Sequence, residues 1–230
     1  MRTYLIVGGS SGIGKEIVDD LSQNGDRVIA TFCTHEKSSN GNVEYRYLNV
    51  TDGAIELDQF PESIDGLVYC PGTINLKPFN RFSPADFLED YELQVLGAIK
   101  VIQFALPALR NGDSPSILLF STVAVQKGFN FHAQVSTSKG ALEGLVRSLA
   151  AEFAPNIRVN AIAPGLTDTP LAARLLSTEK KRASLNEMNP MGRVGHVSDI
   201  SGLATYLLSE KSGWITGQIL HMDGGMSAIN

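Results

Sequence analysis

The sequence is poor in the residues that staple or anchor a fold. Of its 230 residues only two are cysteine, Cys33 and Cys70, and one is tryptophan. Neither cysteine falls in a CxxC or mixed Cys/His spacing, so neither a disulfide framework nor a zinc site is expected, and no metal is assigned. Both lie in apolar runs, which reads as two small buried hydrophobes. No uninterrupted apolar run approaches the ~20 residues that a membrane helix needs, so no membrane is expected as a partner. No basic block is present and the formal net charge is −5, which argues against nucleic acid. Met1-Arg2-Thr3 leads straight into Tyr4-Leu5-Ile6-Val7-Gly8. That approach is too short for a signal peptide ahead of the glycines, and the expected location is cytoplasmic.

What is present is ordinary globular material, 43% hydrophobic and 19% charged. The length suits one large α/β domain over residues 1–230, able to bury a core without covalent staples. Short apolar runs at Tyr4–Val7, Val28–Phe32, Val43–Leu48, Gly66–Cys70, Ile117–Phe120, Ile157–Ile162 and Gln218–Met222 read as strands. Most lack clean alternation, as strands of a parallel sheet buried on both faces do. Helices fill the gaps at 12–24, 84–110, 136–153, 170–187 and 198–209. Ser83-Pro84 and Thr169-Pro170 each place a capping hydroxyl before a proline at the first helical position. The alternation predicts a Rossmann-type, doubly wound, seven-stranded parallel sheet with helices on both faces and right-handed crossovers. No internal repeat is present, and the polar stretch His35–Asn42 reads as a surface loop.

The first strand runs into Gly8-Gly9-Ser10-Ser11-Gly12-Ile13-Gly14, and a helix follows. Glycines allow a sharp turn and a close approach of backbone to a diphosphate, and the helix N-terminus offers unpaired N–H groups to the anion. A strand before the loop and a helix after it give the motif the context it requires. Further along stand Cys70-Pro71-Gly72, then Ser121 at the end of Leu118-Leu119-Phe120, then Lys139 in Ser136-Thr137-Ser138-Lys139-Gly140-Ala141-Leu142. Arg158-Val159-Asn160-Ala161-Ile162-Ala163-Pro164-Gly165 and Trp214-Ile215-Thr216-Gly217-Gln218 through Asp223-Gly224-Gly225 complete the series.

In spacing and order across essentially the whole chain, these segments resemble the short-chain dehydrogenase/reductase family. The resemblance implies hydride transfer with a nicotinamide dinucleotide held by Gly8, Ser10, Ser11, Gly12, Ile13 and Gly14. It implies adenine contacts from Asn49 and Val50, where the family often has Asp-Val, and contacts from Pro71 and Gly72, where it has an Asn-Ala-Gly type motif. Pro164, Gly165, Leu166, Thr167 and Thr169 correspond to the nicotinamide-side segment, and residues from Thr167 to Met191 to a substrate lid. Leu171, Leu175, Leu176 and Met188 would roof an apolar pocket, although an ordinary amphipathic helix accounts for them equally. Members commonly pair the helices corresponding to 84–110 and 136–153, which implies a homodimer or homotetramer. Those two stretches carry Phe87, Leu88, Leu93, Leu96, Leu142, Leu145 and Leu149.

An acid at the end of the second strand ordinarily holds the ribose 2′-hydroxyl of NAD. Here that place is Phe32-Cys33, so a 2′-phosphate is not repelled, and Thr34, His35 and Lys37 follow to receive it. NADP(H) is favoured, with NAD(H) possible; a solvated loop is the plainer account of His35 and Lys37.

In the family a tyrosine four residues before the lysine donates the proton to the substrate carbonyl. The position four before Lys139 is Val135, which carries no proton to give. The family's asparagine in the long helix falls on Gln94, judged from Gln94-Val95-Leu96-Gly97. Lys139 and Ser121 keep their expected contexts, as ribose clamp and substrate-orienting hydroxyl. His132 stands seven before Lys139, about two helical turns, on the same face if the helix extends that far. The enoyl-thioester reductases of the same superfamily carry their tyrosine at that spacing. An imidazole can act as acid or relay near neutrality, or be a surface or pocket histidine with no proton role. Ser136 and Ser138 are weaker acids, better read as helix-start hydrogen-bonding groups.

Two functions are therefore expected from this pattern. One is an NADP(H)-dependent oxidoreductase of a small carbonyl or conjugated-alkene substrate, using Ser121, Lys139 and His132. The alternative is a catalytically inactive nucleotide-binding or sensor protein, motivated by Val135 and Gln94. A scaffold that binds no nucleotide agrees least with the intact glycine loop.

Overall fold

The computed structural model describes residues 1–229. Seven parallel strands form one sheet: β1 (Thr3–Val7), β2 (Arg27–Phe32), β3 (Val43–Tyr47), β4 (Gly66–Tyr69), β5 (Ser116–Phe120), β6 (Arg158–Pro164) and β7 (Ile219–Met222). Their spatial order is β3-β2-β1-β4-β5-β6-β7, and every paired register is parallel. Strand side chains alternate between two apolar cores. Leu5 and Val7 of β1, with Ile117 and Leu119 of β5, face one side, packed by Ala98, Val101, Ile102, Leu142, Val146 and Ala150. Tyr4 and Ile6, with Leu118 and Phe120, face the other, packed by Ile17, Val18, Leu21, Ala204 and Leu207. The period of two in each strand thus feeds both layers. Only β3, at the edge, shows half-buried residues throughout its first four positions.

Helix α1 (Gly12–Gln23) and a helix near the C-terminus, Val197–Leu208, cover the second core. The stretch expected as one helix over 84–110 is helical throughout but changes pitch. Helix α2 (Pro84–Tyr91) passes through a wide π turn (Glu92–Leu96) into α3 (Gly97–Arg110). Ser83, the capping hydroxyl expected ahead of Pro84, also forms a capping box with Asp86. The π turn lies where Tyr69 reaches it: Oη donates to the Leu93 carbonyl at 2.6 Å. A Cβ on Gly97 would lie 2.3 Å from Tyr69 Oη, so the close approach requires glycine.

Helix α4 (Val123–Gln126) was not expected from the sequence; Thr122 caps it, its hydroxyl accepting the Ala124 N–H. Helix α5 (Ala133–Phe153) starts three residues earlier than the periodicity predicts. The expected helix over 170–187 is broken. A single turn at Pro170–Ala172 is followed by irregular chain, and α6 (Glu179–Glu187) begins only where the Thr178 hydroxyl accepts the Lys181 N–H at 3.3 Å. Ser177 and Thr178 offer the backbone local partners that compete with helix continuation. Leu171, Leu175 and Leu176 lie before α6 rather than on it, so an amphipathic helix does not account for them. Val197–Leu208 is hereafter α7.

Asn160, fully buried in β6, ties the sheet's C-terminal edge together. Its Nδ2 donates to the Ile215 carbonyl at 2.9 Å and its Oδ1 accepts the Gln218 N–H at 3.0 Å. Asn160→Ala removes the partner of two backbone groups in part-buried hydrogen bonds, at about 1–3 kcal/mol each. A loss of about 3 kcal/mol lowers the melting temperature by roughly 6–12 °C in a domain of this size. Calorimetric melting checks this; a shift under about 2 °C would mean the staple is dispensable.

Candidate active site

The strand order reverses between β1 and β4, so the connections leave the sheet in opposite directions and open a crevice at the carboxyl ends. Gly8 turns there with φ +76°. Its N–H donates to Thr31 Oγ1 at 3.1 Å, and the Gly9 N–H donates to the Thr31 carbonyl at 2.9 Å. Across the crevice, a Cβ on Gly8 would stand 3.3 Å from the Pro71 ring. Helix α1 enters so closely that a Cβ on Gly14 would lie 2.3 Å from the Gly8 carbonyl oxygen. Ser11 at the N-cap is extended and makes no side-chain cap bond, and the first turn carries no acid. The leading N–H groups of α1 are therefore not spent on a cap, which is what an anion requires. Ser10 is buried, Ile13 packs on the apolar core, and Thr169 stands 3.6 Å from a Cβ built on Gly12.

Beyond β2, Cys33, Thr34 and His35 are all exposed. The expectation of a buried Cys33 is thereby corrected: β2 ends at Phe32, and the cysteine stands outside the layers. Thr34 Oγ1 and His35 Nδ1 share a hydrogen bond of 2.9 Å. Val50 is buried against Gly97. Asn49 closes on its own loop: its Oδ1 accepts from Thr51 N and Oγ1, and its Nδ2 donates to Asp52. In that arrangement its amide is already occupied, with little left for an adenine ring.

On the β4 side, Cys70 is half-buried with its sulfur against Gly14, and burial pushes its thiol up to about 12 despite Lys139 nearby. Lys139 is 8% exposed, on α5. Burial pulls its ammonium down to about 8, against the pull of the Asp90 and Cys70 charges. A Cβ on Gly72 would lie 3.5 Å from Lys139 Nζ and 3.2 Å from Gln94 Oε1, so the lysine, the glutamine and the Gly72 turn meet at one point. Val135 is buried one turn before Lys139.

Ser121 is 4% exposed, and its hydroxyl donates to Glu143 Oε1 at 2.7 Å. Glu143 in turn accepts from Arg147 at 3.3 Å. The serine's one proton is thus engaged inside the fold. The next residue, Thr122, uses its hydroxyl as an acceptor at the start of α4, which leaves its proton for another partner. His132 sits at the N-cap of α5, just outside the helix, with Nδ1 2.8 Å from the Asn130 carbonyl and its ring 5.5 Å from that of Phe129. The preceding Phe131 is held at φ +70°, a conformation a bulky residue adopts only under constraint.

Pro164 and Gly165 leave β6 beside Asp223, and a Cβ on Gly165 would meet its Cα at 2.9 Å. Thr167 Oγ1 donates to the Gly165 carbonyl, and Thr169 Oγ1 accepts the Ala172 N–H. Leu166, Ala172, Leu176 and Val194 form a small apolar cluster of their own, and Asp168 pairs with Arg182 at 2.8 Å. Leu171 and Met188 are exposed.

Two residues of this site escape a reading of the sequence, Asp90 and Thr73; Ser138, read as a helix-start group, instead lies within α5 and joins them, with hydrogen bonds of 2.6 Å from the Thr73 and Ser138 hydroxyls to the Asp90 carboxylate. The available signal is that Asp90 and Gln94 stand four apart, and so on one helical face. Ser136, by contrast, bonds the Ala124 carbonyl.

The match to known proteins covers nearly all of these elements. A family model described as Enoyl-(Acyl carrier protein) reductase fits residues 7–227. A tropinone reductase homolog of Arabidopsis thaliana is 32% identical over 240 residues, which are 97% of this chain and 92% of that protein. The structure of a putative 2-deoxy-D-gluconate 3-dehydrogenase from Agrobacterium tumefaciens with bound NADP is similar at TM-score 0.87 and 28% identity, over 99% of this chain and 96% of that one. Pseudomonas aeruginosa RhlG in complex with NADP has the same fold at TM-score 0.90 and 24% identity, over 98% and 96%.

Lys139 makes stability depend on pH. Its value falls from 10.5 in the ordinary state to about 8 in the folded chain. Between those limits the unfolded chain holds a proton that the folded chain has released, so stability rises with pH across the window and the burden is complete below about pH 8. From pH 7 to pH 9.5 the rise is about 2 kcal/mol. Denaturant unfolding should show that rise in the wild type relative to Lys139→Met; parallel curves for the two proteins would refute it.

Proposed function

The chain belongs to the short-chain dehydrogenase/reductase family, and on that premise we propose that it is an NADP(H)-dependent oxidoreductase transferring a hydride to or from a small carbonyl or conjugated-alkene substrate. One observation carries this reading: the buried ammonium of Lys139 faces Gly72 in the same carboxyl-edge crevice as a helix N-terminus opened by glycines. The residues present fit a dinucleotide. Gly14 and Gly8 leave no room for side chains where a diphosphate would approach, and Gln94 Oε1 is a buried acceptor without a partner among the described residues. A bound nicotinamide supplies the hydride.

The chain's own groups do the rest. The first turn of α1 holds the diphosphate through its N–H groups. Lys139 clamps the ribose hydroxyls. Pro164, Gly165, Leu166, Thr167 and Thr169 flank the nicotinamide, and the segment from Thr167 to Met191 closes over the substrate. The absence of a carboxylate at Phe32-Cys33, with Thr34 and His35 exposed beyond it, favours a 2′-phosphate, and the bound NADP of the Agrobacterium relative supports the same choice.

Val135 stands where the family's proton-donating tyrosine is expected, so the acid falls to His132. With Ser121 hydrogen-bonded to Glu143, the hydroxyl that meets the substrate oxygen at the end of β5 is better supplied by Thr122. These donors suit an enolate oxygen developing during alkene reduction, which needs stabilisation more than a strong acid. Exposed Leu88, Tyr91 and Leu96 support self-association through the α2–α3 helix.

Calorimetry on the purified protein should show NADPH binding tighter than NADH. Cys33→Asp, at an exposed position, should reverse that preference by weakening NADPH about tenfold or more, or 1.4 kcal/mol. An unchanged ratio would place the 2′-phosphate elsewhere. Across a panel of conjugated enones and small ketones, His132→Ala should lose about 100-fold in rate, the low end of general acid catalysis, while keeping its NADPH affinity. Undiminished turnover in that variant removes His132 from the mechanism, and tight binding with no turnover anywhere in the panel would favour a nucleotide sensor.

A further inference from the structure

One cluster in the site takes no part in the hydride chemistry described above. Asp90, on the last turn of α2, is 3% exposed. Its two oxygens receive four hydrogen bonds: from Thr73 Oγ1 at 2.6 Å, from Ser138 Oγ at 2.6 Å, and from Gln94 Nε2 at 2.8 Å to each oxygen. Thr73 comes from the loop after β4, Ser138 from α5 beside Lys139, and Gln94 from the π turn. Asp90 is the acceptor in all four. A carboxylate at such depth is otherwise expensive, and an apolar side chain would pack there at less cost.

The bonds have a geometric consequence. Because both oxygens of Asp90 hold the nitrogen of Gln94, its Oε1 points the other way, buried and without a partner among the described residues. That oxygen and Lys139 Nζ lie 3.2 Å and 3.5 Å from a single point beside Gly72. Other charges near Lys139 are few or spoken for. Cys70 lies at the end of β4; Glu143, one turn further along α5, is bonded to Ser121 and Arg147; Asp86, one turn back on α2, is bonded to Ser83 and Lys77.

We propose that Asp90 is a positioning residue of this site, whose grip on Gln94 presents the amide oxygen and whose carboxylate, tied to Ser138, stands behind Lys139, so that a donor and an acceptor stand preset beside Gly72 for a hydroxyl of the bound cofactor or substrate. The proposal rests on the dinucleotide reading for what occupies that point. The effect on Lys139 does not, because it is a property of the free protein.

The decisive measurement is the titration of Lys139 by NMR of 13Cε-labelled lysine in the ligand-free chain, with Lys139→Met identifying the signal. In Asp90→Asn, which keeps the shape and loses the charge, the Lys139 midpoint should fall by about one pH unit or more, and Asp90→Glu should restore it. A purely structural aspartate would lower the melting temperature without moving that midpoint. Should Asp90→Asn fail to fold, because its amide opposes that of Gln94, the double variant Asp90→Asn/Gln94→Leu removes the conflict and should show the same fall. A midpoint unmoved in a folded variant overturns the inference. Absence of NADPH binding by the wild type, measured separately, overturns the dinucleotide reading instead.

Discussion

A parallel sheet sealed on both faces has only its edges left for chemistry, and this constraint organises the molecule. Leu5 and Val7 are sealed under α3 and α5, Tyr4 and Ile6 under α1 and α7. A polar group on either face needs a partner within the layer, as Asn160 has in the Ile215 carbonyl and the Gln218 N–H. At the carboxyl edge the backbone ends, loops turn, and side chains such as Thr31 can bond N–H groups that no longer have a strand partner. The reversal between β1 and β4 widens that edge into a crevice, and the glycines at 8 and 14 allow α1 to be drawn down onto it. Each feature of the site follows from the sheet having no other place to put it.

Within the crevice the unfavourable term is the burial of Lys139. Desolvation outweighs the combined pull of Asp90 and Cys70, since the ammonium is still displaced downward to about 8. Asp90 is made tolerable at depth by its hydrogen bonds from Thr73, Ser138 and Gln94. Such a network has little slack, because each partner lost leaves a buried group unpaired. The wide turn at Glu92–Leu96 belongs to the same arrangement. It carries Gln94 in its middle and offers the Leu93 carbonyl to Tyr69, so the helix distortion is held in place from the sheet side while Gln94 reaches Asp90.

Most of the fold was legible because its signals are local and repeated. Apolar strand runs predicted all seven strands to within about two residues of their ends, and Ser83-Pro84 and Thr169-Pro170 marked true caps. The failures came where a tertiary partner or a local hydroxyl overrode the period. The helix expected over 170–187 broke because Thr178 caps a new start. Cys33 read as buried because its neighbours are apolar, yet the strand ends one residue earlier. The glycine loop and Lys139 were legible from spacing. Asp90 was not, since an acid among Glu89, Tyr91 and Glu92 looks like an exposed helical face until α5 packs against it and brings Ser138 within 2.6 Å.

The two hydroxyls at the end of β5 have different partners. Successive residues leaving a strand point to opposite sides, so Ser121 and Thr122 cannot both face the crevice. Ser121 is buried and its proton goes to Glu143, a carboxylate that needs both this hydroxyl and Arg147 to be held at such depth. The structure therefore spends the serine on α5 packing, while Thr122 begins a four-residue helix with its hydroxyl in acceptor geometry and its proton unspent. On the proposed reading, the loss of a tyrosine at Val135 and the engagement of Ser121 act in the same direction. Both withdraw proton donors from the point where a ketone oxygen would need one, leaving weaker donors at Thr122 and His132. A site so furnished stabilises an oxyanion better than it protonates one, and that places the demand on a substrate whose own conjugation spreads the charge delivered with the hydride.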